Sequence, residues 1–217
     1  NHPLIQREIE KEFPKASVKR RNTGYAVDFL VNTNPFKPDG EDFNFSKLLA
    51  GSEGTLCFFS EIKLHVDPLP PSKNLLLCVH FTNLEESLKA AVIAMKHQPR
   101  QCELMDKIIL DCTKENIVQR QNRFFIEGDP GAILMIEFAT EDFEETRQKI
   151  ELLIGDFKAQ QMGYAFPILE GKDIQKAMSL RAAGLGVLSN VKGSKKPVEF
   201  VEDTAVAVED LPAYIAD

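Results

Sequence analysis

Two places in this sequence set chemically useful residue types at useful spacing. The first is Gly51-Ser52-Glu53-Gly54-Thr55-Leu56. Glycines flanking small hydroxyl residues let a backbone approach a flat or phosphorylated ligand closely, and N–H and hydroxyl groups can then donate to it. By spacing alone this is a glycine-containing turn ahead of an apolar run. The second is Arg181. Ile174, Met178, Arg181 and Leu185 fall on one face at helical spacing, so a guanidinium interrupts an apolar stripe. A guanidinium fork suits a carboxylate held by two parallel hydrogen bonds. The plainer account is an arginine whose stem packs while its head reaches water. Lys195 and Lys196 are candidates for a second cation, and Glu202 and Asp203 for carboxylates that orient a basic group; solvation is the simpler account of all four.

Other chemistry is argued against. His2, His65, His80 and His97 are scattered without metal-ligand spacing, and Cys57, Cys78, Cys102 and Cys112 form no C-x-x-C pair. Neither set resembles a zinc or iron–sulfur site. The cysteines read as reduced, buried thiols of a cytoplasmic protein, free in solution or peripheral to the inner membrane. The formal net charge of the 217 residues is -7, which argues against non-specific nucleic-acid binding. Lys19-Arg20-Arg21 is too short to reverse that. No window approaches the roughly 18 consecutive apolar residues of a membrane span.

The elements that must position these residues divide at Asp67-Pro68-Leu69-Pro70-Pro71, where the prolines favour a stiff, extended linker. Residues 1–67 contain a helical stretch over 3–13, a helical turn over 45–50 and an expected strand over 56–66, too little to close a core alone. Residues 68–217 carry an internal repeat. LLLCVHF (75–81) and AILMIEF (132–138) are strand-like runs, each leading into an amphipathic helix. Asn83 caps the first, with Glu86 placed to reach back in a capping box, and Leu84, Leu88, Ala91, Val92 and Met95 form its stripe. Thr140 caps the second, whose stripe is Phe143, Ile150, Leu153, Ile154 and Phe157. Strands are expected at 101–105 and 163–169, and a helical excursion over 106–125 joins the two units. Two β-α-β units so joined predict an α+β, ferredoxin-like antiparallel sheet with helices on one face. A helix over 172–189, a loop over 190–196, a strand over 198–205 and a helix over 209–216 complete the reading.

Several of these segments resemble the FAD-linked oxidases, in the branch of glycolate oxidase, D-lactate dehydrogenase and D-2-hydroxyglutarate dehydrogenase. They are Asn22-Thr23-Gly24-Tyr25, the Gly51 to Leu56 segment, the apolar run that ends in Pro68-Leu69-Pro70, Cys102-Glu103-Leu104-Met105-Asp106, Leu180-Arg181, and Phe200-Val201-Glu202-Asp203-Thr204-Ala205-Val206. The last two look most like the large bacterial members fused to an iron–sulfur region. The resemblance implies that residues 1–67 end an FAD-binding (PCMH-type) domain. Residues 68–217 would then be an incomplete substrate-capping domain, in an internal fragment that is inactive alone and binds FAD weakly or not at all. It further implies oxidation of a D-2-hydroxy acid by hydride transfer to flavin, with reoxidation by a separate acceptor whose identity stays open. Thr23, Gly24, Tyr25, Gly51, Ser52, Glu53, Gly54 and Thr55 would line the FAD, and Arg181 would contact a substrate carboxylate. The general base, a histidine-bearing divalent metal motif and any iron–sulfur cysteines would lie outside this segment. The sequence departs from the family pattern at Met178, where relatives often carry Trp, at Cys57, usually Gly, and at Val201, where the D-2-hydroxyglutarate branch has Lys. The competing reading is a non-catalytic ferredoxin-like module that binds a ligand or partner.

Overall fold

In the computed structural model, residues 3–19, 24–34, 36–114, 116–184, 186, 193–194 and 204–217 are described. The chain divides into two compact units, Asn1–Asp67 with Phe200–Ala207, and Pro68–Glu199 with Val208–Asp217.

The second unit is built on a four-stranded sheet. Its strands are β1 (Lys73–Phe81), β2 (Gln101–Asp106), β3 (Ala132–Thr140) and β4 (Ile168–Glu170), in the order β2-β3-β1-β4. All three pairings are antiparallel. Helix α4 (Leu84–Lys96) joins β1 to β2, and α6 (Phe143–Ala159) joins β3 to β4. This is the ferredoxin-like arrangement that the repeat predicts. The central strands β1 and β3 are buried on both faces, which explains their nearly continuous apolar runs.

Strand alternation divides the core in two. Leu75, Leu77, Val79 and Phe81 of β1, with Leu134, Ile136 and Phe138 of β3, pack on Ala90, Ala91 and Ala94 of α4 and Ile150, Leu153 and Phe157 of α6. Leu76, Cys78, Ile133, Met135 and Met105 face the other way. They meet Leu110 of α5 (Lys107–Lys114), Phe125, and Ile174, Ala177 and Leu180 of α7 (Lys172–Ala182). Helices therefore cover both sheet faces, not one as expected. The excursion over 106–125 is not a single helix: α5 is followed by a 3-10 turn, Gln119–Arg123, pinned when Arg123 Nη1 donates to the Leu110 carbonyl.

The caps follow local chemistry with two corrections. Asn83 accepts from Glu86 N–H as expected, but the Glu86 carboxylate accepts from Thr82 Oγ1 and from Gly163 N–H, tying α4 to the approach of β4. The cap of α6 is Asp142, which accepts from Glu144 N–H, not Thr140. Thr140 is drawn into the strand end, where its hydroxyl meets Asp142 and Thr146. The expected strand over 163–169 shortens to β4 plus one bridge, His80 to Ala165, because positive-φ Gly163 turns the chain beside β1. Gly131 sits where the chain returns against β1: a Cβ there would strike the Thr82 carbonyl. Helix α7 ends at Ala182, Gly184 and Gly186 are again helical, and the rest of the expected stretch to 189 lies outside the described residues; a 3-10 turn at Val208–Asp210 leads into α8 (Leu211–Ala216).

The first unit contains α1 (Pro3–Glu12), α2 (Val27–Val31) and α3 (Ser46–Leu49). The strand expected over 56–66 is not formed. Residues 57–70 have no regular structure, and Phe58, Ile62, Leu64, Val66 and Leu69 are exposed. Alternating apolar residues favour a strand, but a strand needs a neighbour for its N–H and C=O groups, and none pairs with it among the described residues.

Candidate functional site

The turn after α3 is held by its own hydrogen bonds. Thr55 N–H donates to the Ser52 carbonyl at 2.9 Å, while Glu53 (φ 47°) and Gly54 (φ 75°) are both left-handed. Two positive-φ residues under such a bond are the signature of a type I′ turn. Glu53 is an unfavourable residue for that backbone, which costs on the order of 1 kcal/mol. Ser52 is buried, and its hydroxyl donates to the Leu49 carbonyl. Thr55 Oγ1 donates to the Ser52 carbonyl at 2.6 Å.

Tyr25 comes to this turn from 30 residues upstream. Its hydroxyl lies 2.5 Å from Thr55 Oγ1, and because the Thr55 proton goes to Ser52, the phenol is the donor. The Gly24 carbonyl lies 3.6 Å from where a Cβ on Gly51 would stand. The structure thus brings Gly24 and Tyr25 together with Gly51, Glu53, Gly54 and Thr55 on one surface, with Ser52 buried beneath it. Thr23 lies outside the described residues. A separate cleft of about 570 Å³ between α1 and α2, lined by Ile9, Phe13 and Phe29 among others, shares none of them.

Arg181, in the last turn of α7, belongs to the second unit. The buried ridge of α7 is Ile174, Ala177 and Leu180, with Met178 packed beside it. Arg181 therefore stands at the edge of the apolar stripe, with its side chain 44% exposed. Its Nη2 lies 2.6 Å from Glu103 Oε2 of β2, and no other hydrogen bond of the guanidinium is formed among the described residues. Glu103 carried no assigned role in the sequence reading. The available signal was a lone acid in a strand whose pleat partners, Met105 on its own strand and Met135 across from it, are buried.

The same pleat places Glu137 beside Gln101 and Leu76. Glu137 is buried, and its carboxylate accepts from Asn74 Nδ2 at 2.7 Å and meets Arg100 Nη1 at 3.4 Å. This polar end of the sheet face was also unforeseen. A single Glu in AILMIEF was its only trace.

Each residue of Glu103-Leu104-Met105-Asp106 has its own partner. Glu103 meets Arg181, Leu104 packs toward α4 and α6, Met105 packs toward α5 and α7, and Asp106 accepts from Ile109 N–H to start α5. Leu185, Lys195, Lys196, Val201, Glu202 and Asp203 lie outside the described residues. All four cysteines are free thiols. Burial pushes Cys102 up to about 12, with the Glu103 charge adding to it, and pushes Cys78 higher still, so neither is a ready nucleophile. Among the described residues, no group of His, Cys, Asp and Glu could hold a metal ion.

Residues 69–217 match the family described as FAD linked oxidases, C-terminal domain. The chain belongs to the FAD-linked oxidases. It is 31% identical over 219 residues to a D-2-hydroxyglutarate dehydrogenase of Pantoea ananatis, covering 96% of this chain and 21% of that protein. The same name attaches to a Pseudomonas putida protein, 31% identical over 218 residues at the same coverages, and to an Escherichia coli protein, 28% identical over 220 residues. The chain therefore spans about a fifth of the length of these curated relatives.

The groups of the turn differ in what they can offer the flavin of an FAD-linked oxidase. The hydroxyls of Ser52 and Thr55 donate inward, so they are not the donors that the sequence suggests. Glu53 and Gly54 N–H groups have no acceptor among the described residues, and a Cβ on Gly54 would meet nothing within 4 Å. An open backbone edge of this kind fits close approach by a flat or phosphorylated ligand.

Proposed function

We propose that this chain is part of an FAD-dependent oxidoreductase that oxidises a D-2-hydroxy acid. The observation that carries the reading is Arg181. In a chain belonging to the FAD-linked oxidases, the Leu180-Arg181 pair offers a half-exposed guanidinium most of whose donors are uncommitted among the described residues. When bound, FAD supplies the hydride acceptor that protein side chains lack. The residues' own work is binding and orientation. Arg181 takes the substrate carboxylate by charge and hydrogen bonding, and the open edge of Glu53 and Gly54 lies against the cofactor with the Tyr25 phenol bracing the turn through Thr55.

The relatives' names point to D-2-hydroxyglutarate, and Val201, where that branch has Lys, favours leaving the substrate at the class of lactate, glycolate or 2-hydroxyglutarate. The reading takes residues 1–67 as the end of the FAD-binding domain and 68–217 as part of the substrate-capping domain. It places the enzyme in the cytoplasm; no helix among the described residues is long and apolar enough to cross a membrane. The iron–sulfur cluster and divalent metal expected from the resemblance would be held elsewhere in the enzyme.

Steady-state kinetics of the full-length protein with an artificial electron acceptor test this reading. Turnover of a D-2-hydroxy acid is expected, and Arg181→Ala raises KM roughly 10- to 1000-fold, the loss of a charged hydrogen bond. Turnover of alcohols or amines in place of hydroxy acids would overturn it.

A further inference from the structure

The contact that holds Arg181 comes from an edge strand of the sheet. Glu103 sits on β2, whose backbone is fixed by its ladder with β3. Its side chain, 28% exposed, shares a sheet face with Met105 and Met135, both fully buried. Arg181 is a long side chain in the last turn of a helix, and left alone it would sample many rotamers. The 2.6 Å contact from Nη2 to Oε2 uses one corner of a guanidinium with five N–H donors. Met178, one turn earlier, is packed against the core.

We propose that Glu103 is the positioning residue for Arg181: it holds one corner of the guanidinium so that the remaining donors meet the carboxylate of the 2-hydroxy acid in a fixed orientation. This rests on the reading of Arg181 as the substrate's carboxylate ligand. Glu103 touches no substrate. It removes rotamer freedom that substrate binding would otherwise have to restrict, so its effect belongs mainly in KM. A merely structural ion pair between α7 and β2 would lower stability when either partner is removed and leave KM unchanged in folded Glu103→Ala enzyme.

A double-mutant cycle in the full-length holoenzyme separates these cases. Glu103→Ala is expected to raise KM for the hydroxy acid roughly 10-fold with kcat within about three-fold, and to add nothing to KM once Arg181→Ala is present. An unchanged KM in Glu103→Ala, or a double variant whose KM rises by the product of the single effects, overturns the proposal while leaving Arg181 as the ligand. An unchanged KM in Arg181→Ala overturns the underlying reading instead. If Glu103→Ala does not fold, Glu103→Gln carries the same test. Its amide oxygen still accepts from the guanidinium, so a smaller KM increase, again absent beside Arg181→Ala, is expected, and no increase overturns the proposal.

Discussion

Gly54 has a backbone that L side chains rarely adopt, with space around it that none of the described residues fills. Gly54→Ala should therefore cost about 1 kcal/mol through conformation alone, readable as a lower urea midpoint. The same substitution in the full-length protein should weaken FAD retention if the open edge lies against the cofactor; unchanged flavin content would remove Gly54 from that surface. Residue types signalled this turn in the sequence, but the direction of its hydroxyls was not legible. Ser52 and Thr55 find backbone carbonyls three residues back, a local bond that competes with any ligand. Arg181 stood out as a charge on an apolar stripe. Its partner did not, because Glu103 and Arg181 are 78 positions apart and meet only through the packing of α7 against the sheet.

At the scale of elements, His80 shows how a strand holds a loop. It is fully buried in β1, with Nδ1 3.1 Å from the Cys78 carbonyl and Nε2 accepting from Glu127 N–H at 3.2 Å. Tyr164 packs edge-on and donates its hydroxyl to the Glu127 carbonyl. Desolvation pulls the His80 pKa below its ordinary value, only partly opposed by the Cys78 carbonyl and the Glu127 charge. The neutral ring is the folded form, since a protonated Nε2 would face another donor. Its contribution to stability is full above about pH 6.5, the ordinary histidine value, and is lost as pH falls through the depressed folded value. Thermal melts should show Tm falling below about pH 6.5, and less steeply in His80→Gln, whose amide oxygen can accept from Glu127 without titrating. Equal slopes would contradict this assignment. The α4 cap makes a second check: Asn83→Ala should cost about 1 kcal/mol in a urea titration. Both units of the repeat were legible because β1 and β3 are nearly continuous apolar runs and α4 and α6 carry apolar stripes. The Thr140 cap misled because Asp142, two residues on, offers a carboxylate in the extended conformation that capping requires. The run over 56–66 misled for a different reason: alternation reports that a segment can form a strand, while pairing is decided by other strands.

For the whole molecule, the two units have unequal means of stability. The second buries two apolar layers around one sheet; the first is short helices and an exposed apolar run. On the proposed function, that run is covered by the rest of an FAD-binding domain. The 217-residue chain alone should accordingly purify without an equivalent of flavin, and one equivalent of bound FAD in its absorbance spectrum would contradict that. The most direct test of the central claim is anaerobic mixing of the full-length flavoprotein with D-lactate, glycolate or D-2-hydroxyglutarate, following the loss of oxidised-flavin absorbance. The account predicts that at least one of them bleaches the flavin along a saturable concentration curve, shifted to much higher concentration by Arg181→Ala. Flavin left oxidised by all three, or a curve that Arg181→Ala leaves in place, would contradict it.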